Sequence, residues 1–499
     1  MFIKKFIPIV ILLFLSVACT SLKAQEQKTL KLASILQSNM VIQQNKPFKV
    51  WGWAPAGETV TIQGDWMKTP VNVVAEGANK FLGIIPVPSV KSGDFTPHRL
   101  TVSSGGETIA LNNLLIGETW ICSGQSNMQF SMGETIDSAQ EVPKANFPNI
   151  RLFSGGLNFS NEPLDSISGT WKECTPETVR RFSAVAYHFG RELHQTLNVP
   201  VGIIFTGIGA SAAQAYVPRE VLAADTMLNR VYLQPYLTSP KSKERLTGDF
   251  SFEKVTRPFL LYNAIIHPFT NLSIKGFTWY QGEANRNERE SYTRLTQALI
   301  QSWRKAFGQG NLPFYYVQIA PFWYDNPDTT AAELAFFQEA QKNVSQLSNT
   351  AMVVTMDVGA AKDLHPKNKK PIGMRLAKTA LNRDYGMLDV AYQGPQYHHA
   401  AFEKAKAIVH FQPETVKSGL TTNNGGAPLH FTMAGADKIF YPATAKITGN
   451  SIELTSPRVK NPVAVRYAFT NSAVTNLQNG EGIPAVPFRT DNWAEGIKR

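Results

Sequence analysis

The chain has 499 residues, 43% of them hydrophobic and 17% charged, a make-up that excludes disordered, collagen-like and multi-spanning membrane proteins. At roughly 100 to 200 residues per domain, such a length divides into about two to four units, and a functional site need occupy only part of it. The formal net charge of +11 is dispersed: Lys4, Lys5 and Lys23 lie in an acid-free stretch of 24 residues, leaving +8 on the other 475, and without zinc-finger spacing or an arginine stripe it does not mark a nucleic-acid partner.

At the N-terminus, Lys4 and Lys5 precede an apolar run from Phe6 to Ala18, followed by small and polar residues. This is the layout of a secretory signal peptide over 1–24, cut after Ala24. The run has 13 residues against about 20 for a membrane span, so no transmembrane segment is expected. Ser16-Val17-Ala18-Cys19 offers a second reading, a lipobox with Ser where Leu is usual and an anchor on Cys19. Cleavage after Ala24 fits the small-residue rule better, and either reading exports the chain to the periplasm or beyond.

Cys122 and Cys174 remain in the mature chain. They either pair, as an oxidising compartment permits, or stay as buried thiols. Neither has C-x2-C spacing and no H-E-x-x-H occurs, so a built-in metal site is not expected.

Residues 25–112 read as short strands between turns, at Phe48 to Trp53, Thr59 to Gln63, Lys80 to Val87 and Arg99 to Ser103, and so as a small all-β domain. From 113 to 395 apolar runs at Leu115 to Cys122, Val199 to Thr206, Ile274 to Tyr280, Phe314 to Ala320 and Ala351 to Met356 alternate with helical stretches. The helices are predicted at Val185 to Leu197, Ser291 to Phe307 and Ala331 to Leu347. That alternation specifies an α/β unit with a mainly parallel sheet, whose ligands sit at the carboxyl ends of the strands. Asp225 to Val255 is charged and weakly patterned, a loop on the functional face or a solvated excursion. Residues 396–499 return to β texture, with strands at Ala407 to Phe411, Lys446 to Thr448, Ser451 to Leu454 and Val463 to Ala468.

Three blocks carry chemistry. In Gly117 to Met128 an apolar strand runs into Ser123-Gly124-Gln125-Ser126-Asn127-Met128, presenting a hydroxyl and backbone N–H groups at the sheet edge. Met128 replaces the second glycine of a G-x-S-x-G elbow, which disfavours an α/β-hydrolase. The plainer alternative is a serine that caps the next helix. In Gly276 to Asn285 a second strand empties into Gln281-Gly282-Glu283-Ala284-Asn285. An amide there can donate to an oxyanion, and a carboxylate can orient an imidazole; Trp279 and Tyr280 also suit core packing. The third block, Asp357 to Pro366, contains Asp363-Leu364-His365, so that one loop delivers an imidazole and a carboxylate. Alone, an Asp-x-His is usually a surface loop; together, the three strand-end blocks are hard to dismiss.

These blocks resemble those of the SGNH/GDSL hydrolase superfamily and, within it, the bacterial sialate O-acetylesterase family, whose members carry Gly-Gln-Ser-Asn-Met, Trp-Tyr-Gln-Gly-Glu-(Ser/Ala)-Asn and Asp-(Ile/Leu)-His-Pro. The likeness extends to Leu261-Tyr262-Asn263, His267-Pro268, Gly373, Arg375-Leu376-Ala377, Gly482-Ile483-Pro484-Ala485 and Pro487-Phe488-Arg489-Thr490. It implies a three-layer α/β/α catalytic domain over 113–395, flanked by β domains at 25–112 and 396–499. It implies Ser126 as nucleophile, His365 as base and Asp363 as its orienting acid, with Glu283 a substitute or supplement. The oxyanion hole would combine the Ser126 and Gly209 N–H groups with the Gln281 amide, and Gln125, Asn127, Trp279 and Asn285 would meet substrate.

The chain departs from the family pattern after Val199 to Thr206, where Gly207-Ile208-Gly209-Ala210-Ser211 stands for Ser-Trp-Gly-Gly-Thr and Tyr216 stands where Trp is common. A changed wall tunes binding, whereas the oxyanion donor is a backbone group, so the expected chemistry survives.

The resemblance implies a cofactor-free serine esterase that removes acetyl groups from sugars, sialate first, with O-acetylated glycan as its partner. The same blocks would serve an acetylesterase of xylan or pectin, and a glycan-binding protein is the rival from outside enzymes. Lys362, Lys367, Lys369 and Lys370 surround His365; a solvated charged loop explains them most simply, an electropositive rim for an acidic sugar less simply.

Overall fold

A computed structural model describes residues 29–493 apart from 325, 327 and 329. The leader expected at 1–24, with Cys19, lies outside the described residues. The chain is a mixed α/β protein with several sheets.

Its organising element is one 18-residue strand, Glu107–Gly124 (β1). The first part pairs antiparallel with His98–Ser104, within a β region that includes Phe48–Trp53, Thr59–Gly64 and Lys80–Ile85. Its far part is buried without interruption from Leu114 to Gly124, as expected of a strand covered on both faces. The strand therefore passes unbroken through residue 112, where the sequence texture changes.

Six further strands complete the central array: Phe147–Ser154 (β2), Trp171–Cys174 (β3), Val201–Gly207 (β4), Gly276–Tyr280 (β5), Phe314–Val317 (β6) and Thr350–Val353 (β7). The spatial order is β3-β2-β4-β1-β5-β6-β7. Only the β2/β3 pair within this row is antiparallel; β2/β4, β4/β1, β1/β5, β5/β6 and β6/β7 run parallel.

Helices cover both faces. Ser126–Gln129 (α1) comes directly after β1, and Ala184–Leu197 (α2), Glu290–Phe307 (α3), Glu333–Asn343 (α4) and Lys370–Asp384 (α5) are the main later ones. The N-terminus of α2 is set by Ser183 Oγ, which accepts the Ala186 N–H at 3.1 Å, and its C-terminus by Asn198 in the left-handed region at φ 55°. Alternating residues of β1 feed opposite cores: Trp120 and Cys122 join Val185, Phe189 and Leu376 from α2 and α5, whereas Ile121 joins Leu299 and Trp303 from α3. A third core lies among the C-terminal strands, including Lys406–Phe411, Phe431–Ala434, Ser451–Thr455 and Ala464–Tyr467, and reaches Val354 and Met356 just past β7.

One expectation changes in part, two elements are added and one open alternative closes. Residues 226–243 form a series of short helical turns rather than a loop, whereas 244–253 stay irregular as expected, pinned where Arg257 binds Glu244 at 2.5 Å and Glu253 at 2.7 Å. β2 and α5 went unread in the sequence, although Ile372, Leu376, Ala377, Ala380 and Leu381 give α5 a buried stripe at helical spacing. Cys122 and Cys174 do not pair: both are free, buried thiols whose pKa burial pushes up to about 12. Among the described residues no helix is long and apolar enough to cross a membrane.

Candidate active site

The site forms where three neighbouring parallel strands end together. Gly124 of β1 is in register with Gly207 of β4 and Tyr280 of β5, so the segments leaving these strands emerge at one edge. Gly124 has φ +144°, and a Cβ there would lie 2.2 Å from the Tyr280 carbonyl oxygen; only glycine permits this close approach. The chain then turns into α1. Ser126 is its first residue rather than its cap, since the N-cap position belongs to Gln125.

Ser126 Oγ lies 2.8 Å from His365 Nε2, joining residues 239 positions apart. The imidazole is half-buried and stacks on Phe130 at 6.4 Å between ring centroids. Burial first, and then the Lys369 ammonium, hold the imidazole below its ordinary pKa. The ring is thereby biased to its neutral form.

The two carboxylates expected to serve His365 are placed differently. Asp363 Oδ1 accepts the His365 backbone N–H at 2.9 Å, and its side chain makes no bond to the ring among the described residues. It closes the turn that presents the imidazole. Glu283 makes no hydrogen bond to the ring either; its Oε1 accepts from Asn127 Nδ2 at 2.5 Å. The Asn127 amide also donates to the Leu364 carbonyl at 3.1 Å and accepts from Lys369 Nζ at 2.5 Å. One buried amide thus ties the residue after the serine to the residue before the histidine. Among the described residues Glu283 Oε2 has no hydrogen-bond partner, and burial raises the carboxyl pKa.

The second block supports this edge rather than lining it. Gln281 does not face the serine: its amide nitrogen donates to Ser211 O at 3.1 Å and Asn285 Oδ1 at 2.7 Å, which uses both hydrogens, and its Oε1 receives Tyr292 Oη at 3.2 Å. The expectation of an oxyanion donor from this side chain fails on that account. Asn285 is a filled hub, accepting from Ala213 N–H and Gln281 and donating to Gln214 and Glu288 at 3.0 and 2.9 Å. Trp279 is core, edge-on to Tyr216 at 5.0 Å and to Trp303 at 5.8 Å. Gln125 Oε1 accepts the Gly282 and Ala284 N–H groups, both at 3.2 Å, and so staples the first block to the second. Gln125, Asn127, Trp279 and Asn285 are all buried, so the expectation that they meet substrate gives way to a supporting role.

Residues 250–382 match the family of carbohydrate esterases described as sialic acid-specific acetylesterase. Sialate O-acetylesterase of Mus musculus is 29% identical over 408 residues, covering 73% of this chain and 75% of that protein; the Homo sapiens enzyme is 28% identical over 400 residues, covering 73% of each. A carbohydrate acetylesterase from Xanthomonas citri aligns with a TM-score of 0.82 and 31% identity, over 93% of this chain and 100% of that one. The chain belongs to the sialate O-acetylesterase family. It is an ester hydrolase of that family.

Where the family has Ser-Trp-Gly-Gly-Thr, this member shows what its own sequence does. Gly209 stands beside the serine, an added Cβ falling 3.6 Å from Ser126 Cβ, and its N–H donates to Gln129 Oε1 at 2.7 Å. Ala210, in place of the second family glycine, keeps the left-handed backbone at φ 61°, a conformation that costs a non-glycine residue about 1 to 2 kcal/mol. Tyr216 is no wall: it is fully buried, and its hydroxyl props Ser211 Oγ at 2.9 Å and Gly124 O at 3.2 Å. Sequence reasoning overlooked Gln129. It sits three residues after Ser126 on a helical turn, and that spacing puts both side chains on one face.

The lysine cluster also divides. Lys362 and Lys367 are exposed, Lys370 binds Glu141 at 2.6 Å, and Lys369 is 0% exposed, so it is no part of a rim. No group of His, Cys, Asp and Glu among the described residues could hold a metal ion.

Proposed function

We propose that this family member is an exported sialate O-acetylesterase that works through Ser126, with an acetyl-enzyme intermediate. The observation that carries the reading is the 2.8 Å contact between Ser126 Oγ and His365 Nε2 beside the Gly209 N–H. With its ring proton on Nδ1, neutral His365 accepts the Ser126 proton through Nε2 as Oγ bonds to the acetyl carbon. The carbonyl oxygen becomes an oxyanion, received by the Ser126 and Gly209 N–H groups. Gln129 Oε1 occupies the Gly209 donor at 2.7 Å and rotates away as the carbonyl enters. Collapse breaks the bond to the sugar oxygen, which takes the proton from His365. Water then attacks the acetyl carbon, its proton passing to His365, and acetate leaves as Ser126 Oγ recovers that proton.

The mainly parallel row β2-β4-β1-β5-β6-β7 with helices on both faces supports an SGNH-type three-layer catalytic domain over 113–395. We divide the rest into β domains at 25–112 and 396–499, the first sharing β1 with the catalytic unit. The leader over 1–24 supports export, with anchoring on Cys19 the lesser reading. Similarity to the mouse and human sialate O-acetylesterases supports an acetylated sialic acid as substrate.

Acetate release from O-acetylated sialic acid and from acetylated xylan, by wild type and Ser126→Ala, tests the reading. Faster release from the sialic acid is expected, with at least a thousandfold loss in Ser126→Ala. Preference for xylan would assign a plant-polysaccharide esterase. Equal release by both proteins would remove Ser126 as nucleophile, and sugar binding without any release would make the chain a glycan-binding protein.

A further inference from the structure

A lysine with no exposed surface is costly to keep, and more so at the start of a helix. Lys369 occupies the N-cap position of α5, where the helix dipole opposes a cation, and is 0% exposed. Its ammonium lies 4.8 Å above the Phe130 ring and 5.7 Å above the Tyr280 ring. Among the described residues it touches no carboxylate directly. Instead it donates to Asn127 Oδ1, and the charge of Glu283 reaches it through that amide. A core built for stability alone would place an apolar side chain here.

We propose that Lys369 is a positioning residue for Ser126 and His365. By holding Asn127 Oδ1 it aims both amide hydrogens, one at Glu283 and one at the Leu364 carbonyl, and so locks the first turn of α1 to the loop that carries the imidazole. Phe130 couples the same ammonium to the other face of the pair, since its ring packs on Lys369 and stacks on His365. The charged groups around His365 are Lys369, Asp363 and Glu134; around Lys369 they are Glu283 and Asp363; around Glu283 they are Lys369 and Arg286. Burial brings the Lys369 pKa down to about 7, so the ammonium is charged through the range below 6.5 in which His365 titrates. A nearby cation disfavours imidazolium; removing it raises the histidine pKa.

This inference rests on the Ser126 and His365 reading, and the experiment separates the two. Full-length Lys369→Met, the double variant Glu283→Gln with Lys369→Met, and Ser126→Ala are compared by steady-state acetate release, pH profile and thermal unfolding. Lys369→Met is expected to lose about a hundredfold in kcat, as for a displacement near 1 Å, with KM changed by less than about threefold. Its acidic limb of kcat/KM moves to higher pH. The double variant, no longer holding an uncompensated carboxylate, recovers unfolding temperature but not kcat. Wild-type kcat and acidic limb in Lys369→Met would overturn the proposal, as would recovery of kcat in step with stability in the double variant. Retained activity in Ser126→Ala would overturn the nucleophile reading itself.

Discussion

Two buried asparagines organise this edge of the sheet in opposite ways. Asn285 uses its full hydrogen-bonding capacity on partners within the wall formed by Ala213, Gln214, Gln281 and Glu288. Asn127 is strung between a lysine and a glutamate, and one Glu283 oxygen has no partner among the described residues. A satisfied network gives rigidity, whereas one under charge tension is kept for what it holds in place. The difference separates scaffold from machinery among residues of the same type.

Replacing each asparagine by leucine tests that separation most severely. Asn127→Leu is expected to lower kcat at least a hundredfold, in acetate release at saturating substrate. Asn285→Leu strands several buried polar groups at about 1 to 3 kcal/mol each, so denaturant unfolding is expected to show a loss of about 3 kcal/mol or more, with kcat within about tenfold of wild type. Equal kcat losses would erase the distinction.

Next in size is Gln281→Ala. Its amide is committed to Ser211 and Asn285, so a stability loss of about 1 to 3 kcal/mol is expected, rather than the hundredfold or greater kcat loss of a missing oxyanion donor. Such a kcat loss in a protein of wild-type stability would return Gln281 to the oxyanion hole. The pH profile gives a further check. Because burial and Lys369 lower the His365 pKa, and the neutral ring is the base, the acidic limb of kcat/KM is expected below pH 6.5, its unperturbed value.

Much of the framework was legible. The strand Phe48–Trp53 and the helix ending at Leu197 stand where periodicity and turn residues put them, because local pattern and burial agree there. The continuity of β1 was not legible. Its change of texture arises where the strand passes from one-sided to two-sided burial, not from a break in the chain. Ser126 and His365 could be picked out from strand-end turns, and the structure brings them to 2.8 Å. The direction of Gln281 could not, since Ser211, Tyr292 and Asn285 set it from other elements. Lys369 hid within a run of lysines, its burial created by Phe130 and Tyr280.

Two smaller effects sharpen the picture at its margins. Ala210→Gly relieves the left-handed backbone at φ 61° and is expected to raise stability by about 1 kcal/mol in thermal unfolding. If the exposed Lys362 and Lys367 steer an anionic sugar, rising salt should lower kcat/KM for acetylated sialic acid by a few-fold and leave a neutral acetyl sugar unaffected.

The unbroken strand β1 also sets a timetable for synthesis. Leu115 to Gly117 pairs with the earlier strand Val41–Gln43, but its last stretch, Glu118 to Gly124, needs β4 at Val201–Gly207 on one side and, from Trp120 on, β5 at Gly276–Tyr280 on the other. At about 5 to 20 residues per second on the ribosome, the strand that carries the serine waits many seconds with both edges open. A fragment that stops before residue 201 keeps those edges bare, as aggregating strands do. The N-terminal β region therefore cannot be trimmed away or expressed alone at residue 112 without cutting the strand that presents Ser126.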